Sequence, residues 1–330
     1  MKKNLKILST IFFTLLAINS IAKAEVKVVA SIKPIHSLVS YVMDGVGKPD
    51  IIVDGYNSPH NFSLKPSHAK MIEKANLIIW VGEDLETFLE KPLKSIGKKA
   101  VNIEIMDLKG IKKLKFREKN IFEAHDDHGH GHKEHKEHGH DEHKEHGHKE
   151  KKHDDHGHEG HAHGEHDPHV WLDPMNAKVI VKEIENQLVK LDPNNSSKYK
   201  ANSKKAQSEL DNLTKNIKKG LNKDLRFVVF HDAYQYFENR FGLKVLGALT
   251  VNPDVLPGAE QLSEIREVIE HEKVNCLFSE PQFNPAIIKS ISKDTKIKTG
   301  VLDPLGATLD KGKGLYSKLL RNMYASFKGC

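Results

Sequence analysis

The sequence predicts an α/β protein with two lobes, each a mostly parallel sheet flanked by helices, and a long rigid helix that joins them. Two observations predict this architecture. Short apolar runs alternate with helical segments in both halves of the chain, which is typical of parallel sheets. A long helical segment without Gly or Pro separates the two halves. The chain has 330 residues, which fits two ordinary domains better than one small domain.

The first lobe, predicted over residues 25–192, contains several strand-like runs. The run at 77–81 is apolar throughout, which favours a strand covered on both faces. One helix is expected to start at Lys33-Pro34, where proline suits the first turn. A second is expected over 67–75, with Ser67 as its N-cap. The strand-like runs are 26–30, 51–53, 77–81 and 101–105.

The connector between the lobes is predicted over residues 193–220. A preceding helix opens at Asp173-Pro174 and ends at Asp192-Pro193. From residue 196 to 219 the chain is polar and lysine-rich, with apolar residues at spacings of four, three and four. Such a pattern is typical of a long helix with one narrow buried stripe. The stripe consists of Ala206, Leu210, Leu213 and Ile217.

The second lobe, predicted over residues 221–330, places polar residues directly after its apolar strands. The strand-like runs are 227–230, 245–249, 276–278 and 299–302. They are followed by His231, Thr250, Ser279-Glu280 and Asp303. Because ligands bind at the carboxyl ends of strands in open α/β sheets, this edge is the expected binding site.

The N-terminus reads as a secretory signal peptide over residues 1–24. Three lysines precede an apolar stretch from Ile7 to Ile18, and Ala22-Lys23-Ala24 forms a cleavage site. An uncleaved anchor helix is the alternative, but the apolar stretch is short for one. We therefore expect a periplasmic protein without direct membrane insertion.

The charge distribution bears on the expected partners, and the cysteine content predicts a disulfide. The net charge of +6 combines −6 in residues 125–166 with a positive surplus that is spread along the remaining residues. Because no basic block or nucleic-acid-binding module is present, nucleic acid is not an expected partner. The only two cysteines are Cys276 and Cys330. Two cysteines in an exported chain usually pair, so we predict a disulfide. A zinc–thiolate site is less favoured because the pair lacks ligand spacing.

Histidine is the most unusual feature of the composition. Of the 22 histidines, 16 lie in the tract His125–His166, inside a loop predicted at about 124–166. Histidines mixed with carboxylates form a multidentate trap for zinc, nickel or copper. The alternative is an acidic loop that only solvates the protein. Since imidazole is largely neutral at pH 7, metal capture explains the histidines better.

Three further histidines lie in loops that the fold could bring together. His60, His169 and His231 are far apart in sequence, yet three imidazoles from separate loops can bind one Zn²⁺. Asp303 or a water is the expected fourth ligand, and Glu280 is a candidate for orienting a ligand imidazole. From spacing alone, each histidine could equally be a loop or cap residue. Surface or capping roles are expected for His36, His68 and His271.

Several separated motifs resemble the metal-specific solute-binding proteins that feed ABC importers, in particular their zinc-binding members. The segments are 58–67, 169–174, 229–237, 280–283 and 302–306. The resemblance implies two lobes joined by a rigid helix, with metal between them, and a histidine-rich loop in the same place. It matches His60, His169 and His231 to the three histidine ligands of the family. Some zinc members have Glu where Pro59 stands here, and manganese members have a carboxylate where His231 stands.

The resulting hypothesis is a periplasmic zinc receptor, with Zn²⁺ as cargo and a membrane ABC permease as partner. We expect a monomer that makes and breaks no covalent bond. Three alternatives remain open: a zinc hydrolase, because three histidines and a water also form catalytic sites; a storage protein acting through the histidine-rich tract; and a manganese or nickel receptor of the same fold.

Overall fold

The computed structural model describes residues 25–117, 119–122, 164–253, 255 and 257–330. The predicted signal peptide and nearly all of the predicted histidine-rich loop lie outside these residues. Within the described ranges, no helix combines the length and apolar character needed to cross a bilayer.

The first lobe is a four-stranded, fully parallel sheet with strand order β2-β1-β3-β4. Its strands are β1 (Val28–Ile32), β2 (Asp50–Val53), β3 (Leu77–Trp80) and β4 (Val101–Glu104). Its helices are α1 (Lys33–Val42), α2 (Pro66–Lys74) and α3 (Thr87–Ser95). Every residue of β3 is buried, which confirms the strand expected from the apolar run.

The second lobe repeats this topology, with strand order β6-β5-β7-β8 and all strands parallel. Its strands are β5 (Arg226–His231), β6 (Lys244–Thr250), β7 (Cys276–Ser279) and β8 (Lys298–Val301). Its helices are α6 (Gln235–Phe241), α7 (Ala259–His271), α8 (Ala286–Thr295) and α9 (Leu315–Gly329). The predicted fold class of two parallel-sheet lobes flanked by helices is confirmed.

Two helices, α4 (Pro174–Leu191) and α5 (Ser196–Gly220), lie between the sheets in sequence. The Asp173 side chain caps α4 by accepting a hydrogen bond from the Met175 N–H at 2.8 Å. The α5 helix buries the predicted apolar stripe together with Tyr199 and Ser203. Because α5 contacts α1, α4 and α9, it packs against helices of both lobes.

A segment before the histidine-rich tract crosses from the first sheet to the second. Phe122 donates its backbone N–H to the Leu246 carbonyl at 2.9 Å, and Ala248 donates to the Asn120 carbonyl at 2.8 Å. This pairing covers β6, which is an edge strand. The sequence pattern did not predict it, since residues 119–122 lack a strand-like run of their own.

The Cys276–Cys330 disulfide is present, with a Cα–Cα distance of 5.9 Å. It confirms the predicted pairing and ties β7 to the end of α9. The covalent link therefore fixes the chain terminus to the second sheet, two strands away from its edge at β6.

Two local expectations were wrong. The α2 helix begins at Pro66, so the position before it is Lys65 and Ser67 is not the N-cap. His36 is buried, with its Nε2 atom 3.1 Å from the Pro49 carbonyl oxygen. Because α1 packs against β1, α4, α5 and α9, most of its positions are buried and His36 has no surface role.

Candidate metal centre

The three candidate histidines come from separate elements that meet between the sheets. His60 lies in the loop after β2, and His231 is the last residue of β5. His169 directly precedes a short 3-10 turn, Val170–Leu172, that leads into α4. One nitrogen of each ring lies within 4.8 Å of a nitrogen of the other two. The fold therefore brings together the three imidazoles that the sequence separates widely.

The two most buried imidazoles face each other with their Nε2 atoms. The distance between the Nε2 atoms of His169 and His231 is 3.3 Å. Two nitrogens of a tetrahedral zinc site, with Zn–N bonds of about 2.0–2.1 Å, lie about 3.3–3.4 Å apart. The centroid of the His60 ring lies 5.5 Å and 5.6 Å from the centroids of the other two rings. The arrangement therefore fits a single tetrahedral ion.

A carboxylate backs each of these two rings at Nδ1. The Nδ1 atom of His169 lies 2.7 Å from Oδ1 of Asp167, and the Nδ1 atom of His231 lies 2.7 Å from Oε1 of Glu280. Because an ionised carboxylate only accepts hydrogen bonds, it holds the ring proton on Nδ1 and leaves the Nε2 lone pair free to bind metal. Carboxylate–histidine pairs of this kind orient zinc ligands and raise their basicity.

Burial and neighbouring charges shift the pKa values of the two imidazoles and of Asp167 in different directions. Burial, with a smaller contribution from His231, lowers the pKa of His169 well below its usual value. Burial also opposes protonation of His231, but the negative charge of Glu280 leaves the pKa of His231 raised. Burial raises the pKa of Asp167 to about 7. A bound cation would favour the ionised form of this carboxyl, so the charge balance suits a cationic ligand.

Sheet topology explains why His231 meets Glu280. In the order β6-β5-β7-β8, the chain passes to one side of β5 and then to the other. Residues after β5 and β7 therefore flank the point where the direction of winding reverses, where open α/β sheets bind ligands. His231 ends β5, and Glu280 follows β7. The polar residues that the sequence places after these strands become direct neighbours.

A small cavity of about 10 Å³ lies between the three rings. Trp171, Phe283, Pro304 and Leu305 contribute much of its apolar wall. A volume near 10–15 Å³ holds about one water-sized sphere. The cavity therefore suits an ion rather than an organic molecule.

Asp303 follows β8 at the same end of the second sheet, but it is not in the group formed by the three histidines. One carboxylate oxygen accepts a hydrogen bond from Gln282 Nε2 at 2.9 Å, and the other accepts from the Thr308 N–H at 3.2 Å. These bonds stabilise the turn after β8. A role for Asp303 as fourth ligand stays a prediction.

Two features of the site were missed in the sequence. Asp167 backs His169 from only two positions away, and the Asp-Pro-His spacing was a usable signal. Arg117, by contrast, donates to Asp232 at 2.9 Å and to Glu238 at 2.5 Å. It places a half-buried positive charge beside Asp232, the residue that follows His231. No local pattern links Arg117 to residues more than a hundred positions away.

The fold and the site define a two-lobed α/β binding protein with a candidate metal centre between its lobes. The chain belongs to the ZnuA family, described as the periplasmic component A of the zinc-uptake complex, whose family model matches residues 28–330. This membership agrees with the solute-binding class that the separated motifs indicate.

Relatives across the full length support this placement. The chain is 50% identical over 314 residues to the high-affinity zinc uptake system protein ZnuA of Brucella abortus, covering 94% of this chain and 93% of the relative. It is 39% identical over 344 residues to the protein of the same name from Haemophilus influenzae, covering 100% and 99%. A solved ZnuA deletion mutant with zinc bound shares the fold at a TM-score of 0.68 and 20% identity, covering 91% of this chain and 95% of that one.

Proposed function

We propose that this protein is a periplasmic, high-affinity zinc receptor that delivers Zn²⁺ to a membrane ABC permease. In this proposal, His60, His169 and His231 bind the ion, and Asp303 or a water completes the coordination. The observation that carries it is the pair of carboxylate-backed Nε2 atoms 3.3 Å apart. Membership of a zinc-uptake family supports zinc as cargo and a permease as partner.

The donor set favours zinc over manganese. The candidate ligands are three imidazoles, and among the residues that the structure describes no carboxylate belongs to their group. Imidazole suits zinc, copper and nickel, whereas oxygen ligands suit manganese. A tetrahedral spacing between two ligand nitrogens further favours zinc over metals that prefer planar or octahedral sites.

The cavity supports binding rather than hydrolysis. A hydrolase needs space for its substrate beside the metal-bound water. The volume of about 10 Å³ between the rings does not accommodate an ester or a peptide. We therefore assign this small site to an ion that enters and leaves unchanged.

A metal titration tests this proposal directly. The chain lacking the signal peptide and residues 125–163 is expected to bind one Zn²⁺ tightly. Alanine at His60, His169 or His231 is expected to weaken binding at least about a hundredfold, because each removes a ligand. His271→Ala is the matched control, since this histidine is exposed at the end of α7.

The same titration separates the alternatives. If removal of residues 125–163 abolished zinc binding, the protein would be a storage protein that acts through its histidine-rich tract. If the site preferred Mn²⁺ or Ni²⁺ in competition, the proposed cargo would be wrong. Zinc-dependent turnover of an ester, lost in His231→Ala, would indicate the hydrolase.

A further inference from the structure

One buried lysine joins the two lobes beside the candidate metal centre. Lys33 is the first residue of α1 and follows β1 in the first lobe. Its Nζ atom donates to the carbonyl oxygens of Ala307 at 3.0 Å and Leu309 at 2.6 Å. Both carbonyls belong to the connection between β8 and α9 in the second lobe. Lys33 is only 5% exposed, so these bonds are largely shielded from water.

The segment that Lys33 holds also forms part of the metal cavity. Pro304 and Leu305 line the cavity, and Leu305 lies two positions before Ala307, whose carbonyl Lys33 binds. The Pro304 carbonyl accepts a hydrogen bond from Nε1 of Trp171 at 2.8 Å. Trp171 packs against the ring of His169, with centroids 5.3 Å apart. The segment 303–309 therefore contacts the candidate site on one side and Lys33 on the other.

Hydrogen bonds within the segment stabilise its turn. Gly306 has a φ of +65°, and its carbonyl accepts the Leu309 N–H at 3.0 Å. Asp303 accepts the N–H of Thr308 at 3.2 Å. Because these bonds fix the turn, a displacement of Ala307 and Leu309 would also move Pro304 and Leu305. Lys33 can therefore influence the wall of the cavity without touching the ligands.

Nearby carboxylates partly offset the effect of burial on the pKa of Lys33. Burial lowers the pKa of Lys33, while the carboxylates of Asp54, Asp303 and Asp310 act in the opposite direction. Hydrogen bonds from a charged donor are stronger than neutral ones, especially away from water. The buried ammonium is thus suited to hold two carbonyls of the opposite lobe.

Two lysines that follow this segment in the connection to α9 make exposed contacts. Lys311 pairs with Asp54 at 2.8 Å, and Lys313 pairs with Asp44 at 2.7 Å. The four side chains are between 42% and 55% exposed. Exposed ion pairs contribute little. They provide a control, because each also joins the two lobes through a lysine, but at the exposed surface.

We propose that Lys33 is a positioning residue for metal retention: it holds the segment 303–309 against the first lobe and thereby slows release of the ion from the three histidines. This proposal rests on the proposed function as a zinc receptor. Release then requires the segment to detach from α1, so any event that breaks the Lys33 contacts opens one wall of the cavity.

The test compares Lys33→Met with Lys311→Met in the chain without its signal peptide. Each protein is loaded with one equivalent of Zn²⁺ and mixed with excess colorimetric chelator, and the slow phase gives the release rate constant. Lys33→Met is expected to raise this constant about tenfold to a hundredfold, as expected for a lost charged hydrogen bond. For Lys33→Met the association rate constant is expected to stay within about threefold of the parent value. For Lys311→Met both rate constants are expected to stay within about threefold of the parent values.

Equal release rates from Lys33→Met and Lys311→Met would overturn the proposal. A change in association alone would also contradict it, because the inferred role concerns retention. If Lys33→Met does not fold, Lys33→Gln carries the same expectation, since it removes the charge but keeps a donor.

His169→Ala distinguishes a failure of the role inferred for Lys33 from a failure of the proposed receptor function. If that variant released zinc as slowly as the parent, the receptor function itself would fail, whatever Lys33 does.

Discussion

Glu280→Gln is the sharpest test of how the site achieves its affinity. The substitution removes one negative charge from a position 2.7 Å from the Nδ1 atom of His231, and both side chains are less than 5% exposed. The glutamine oxygen can still accept the Nδ1 proton, so the ligand geometry can persist. A hydrogen bond to a charged group contributes about 1.5–3 kcal/mol. Losing most of it corresponds to an affinity about 10–100 times weaker, the range found for such outer contacts.

Competition with a chelator of known zinc affinity measures this change, and circular dichroism checks that the variant is folded. Glu272→Gln serves as the control, since Glu272 is 49% exposed and pairs with Arg226 in the same lobe. Zinc affinity of Glu280→Gln within twofold of the parent would refute the reasoning. It would mean that the carboxylate does not strengthen His231 as a ligand.

Three further predictions concern pH and stability. Because zinc competes with protons for neutral imidazoles, apparent zinc affinity should fall as the pH is lowered, and the raised pKa of His231 places the start of this fall above the ordinary histidine value of about 6.5. Isothermal titration at several pH values measures the profile, and a flat profile would argue against histidine ligands. Burial raises the pKa of Glu86 from 4.5 to about 7, so the free energy of unfolding should fall by up to about 3 kcal/mol as pH rises between these values. Glu86→Gln should make the fall measured by urea titrations at pH 4.5 and 8 smaller by this amount, and an unchanged pH dependence would contradict the assignment. Cys330→Ser opens a link between residues 54 positions apart and should lower the free energy of unfolding by up to about 4 kcal/mol; a loss under 1 kcal/mol would show that the linkage restricts the unfolded chain little.

Local pattern was sufficient for most of the fold. The continuous apolar run at 77–81 and the stripe from Ala206 to Ile217 each specify an element by periodicity, and the structure places both as expected. Asp173-Pro174 combines a capping side chain with a proline in the first turn, so the start of α4 was also predictable. The burial of His36 could not be predicted from local pattern. Its burial depends on helices α4, α5 and α9, which pack around α1 from distant parts of the chain.

The candidate site likewise combines features that the sequence predicts with features that only the folded chain brings together. The histidines could be identified as candidates because imidazoles after strands and before helices are suited to metal binding, and separated motifs resemble a metal-binding family. Their convergence was an expectation from that resemblance. The partner of His169 lies two residues away, within reach of sequence reasoning, whereas the Arg117 pair with Asp232 joins residues brought together only by the crossing segment.

The sequence by itself determined the two-lobed α/β class, the helix between the lobes, and the residue types suited to binding a soft divalent cation, because hydrophobic period and side-chain chemistry are properties of short segments. The tertiary structure alone decided that two Nε2 atoms lie 3.3 Å apart, that each ring has a carboxylate behind it, and that Lys33 binds carbonyls 274 and 276 positions away. These contacts arise where the strand ends of two sheets face each other, and no periodicity along a chain encodes the distance between two such ends.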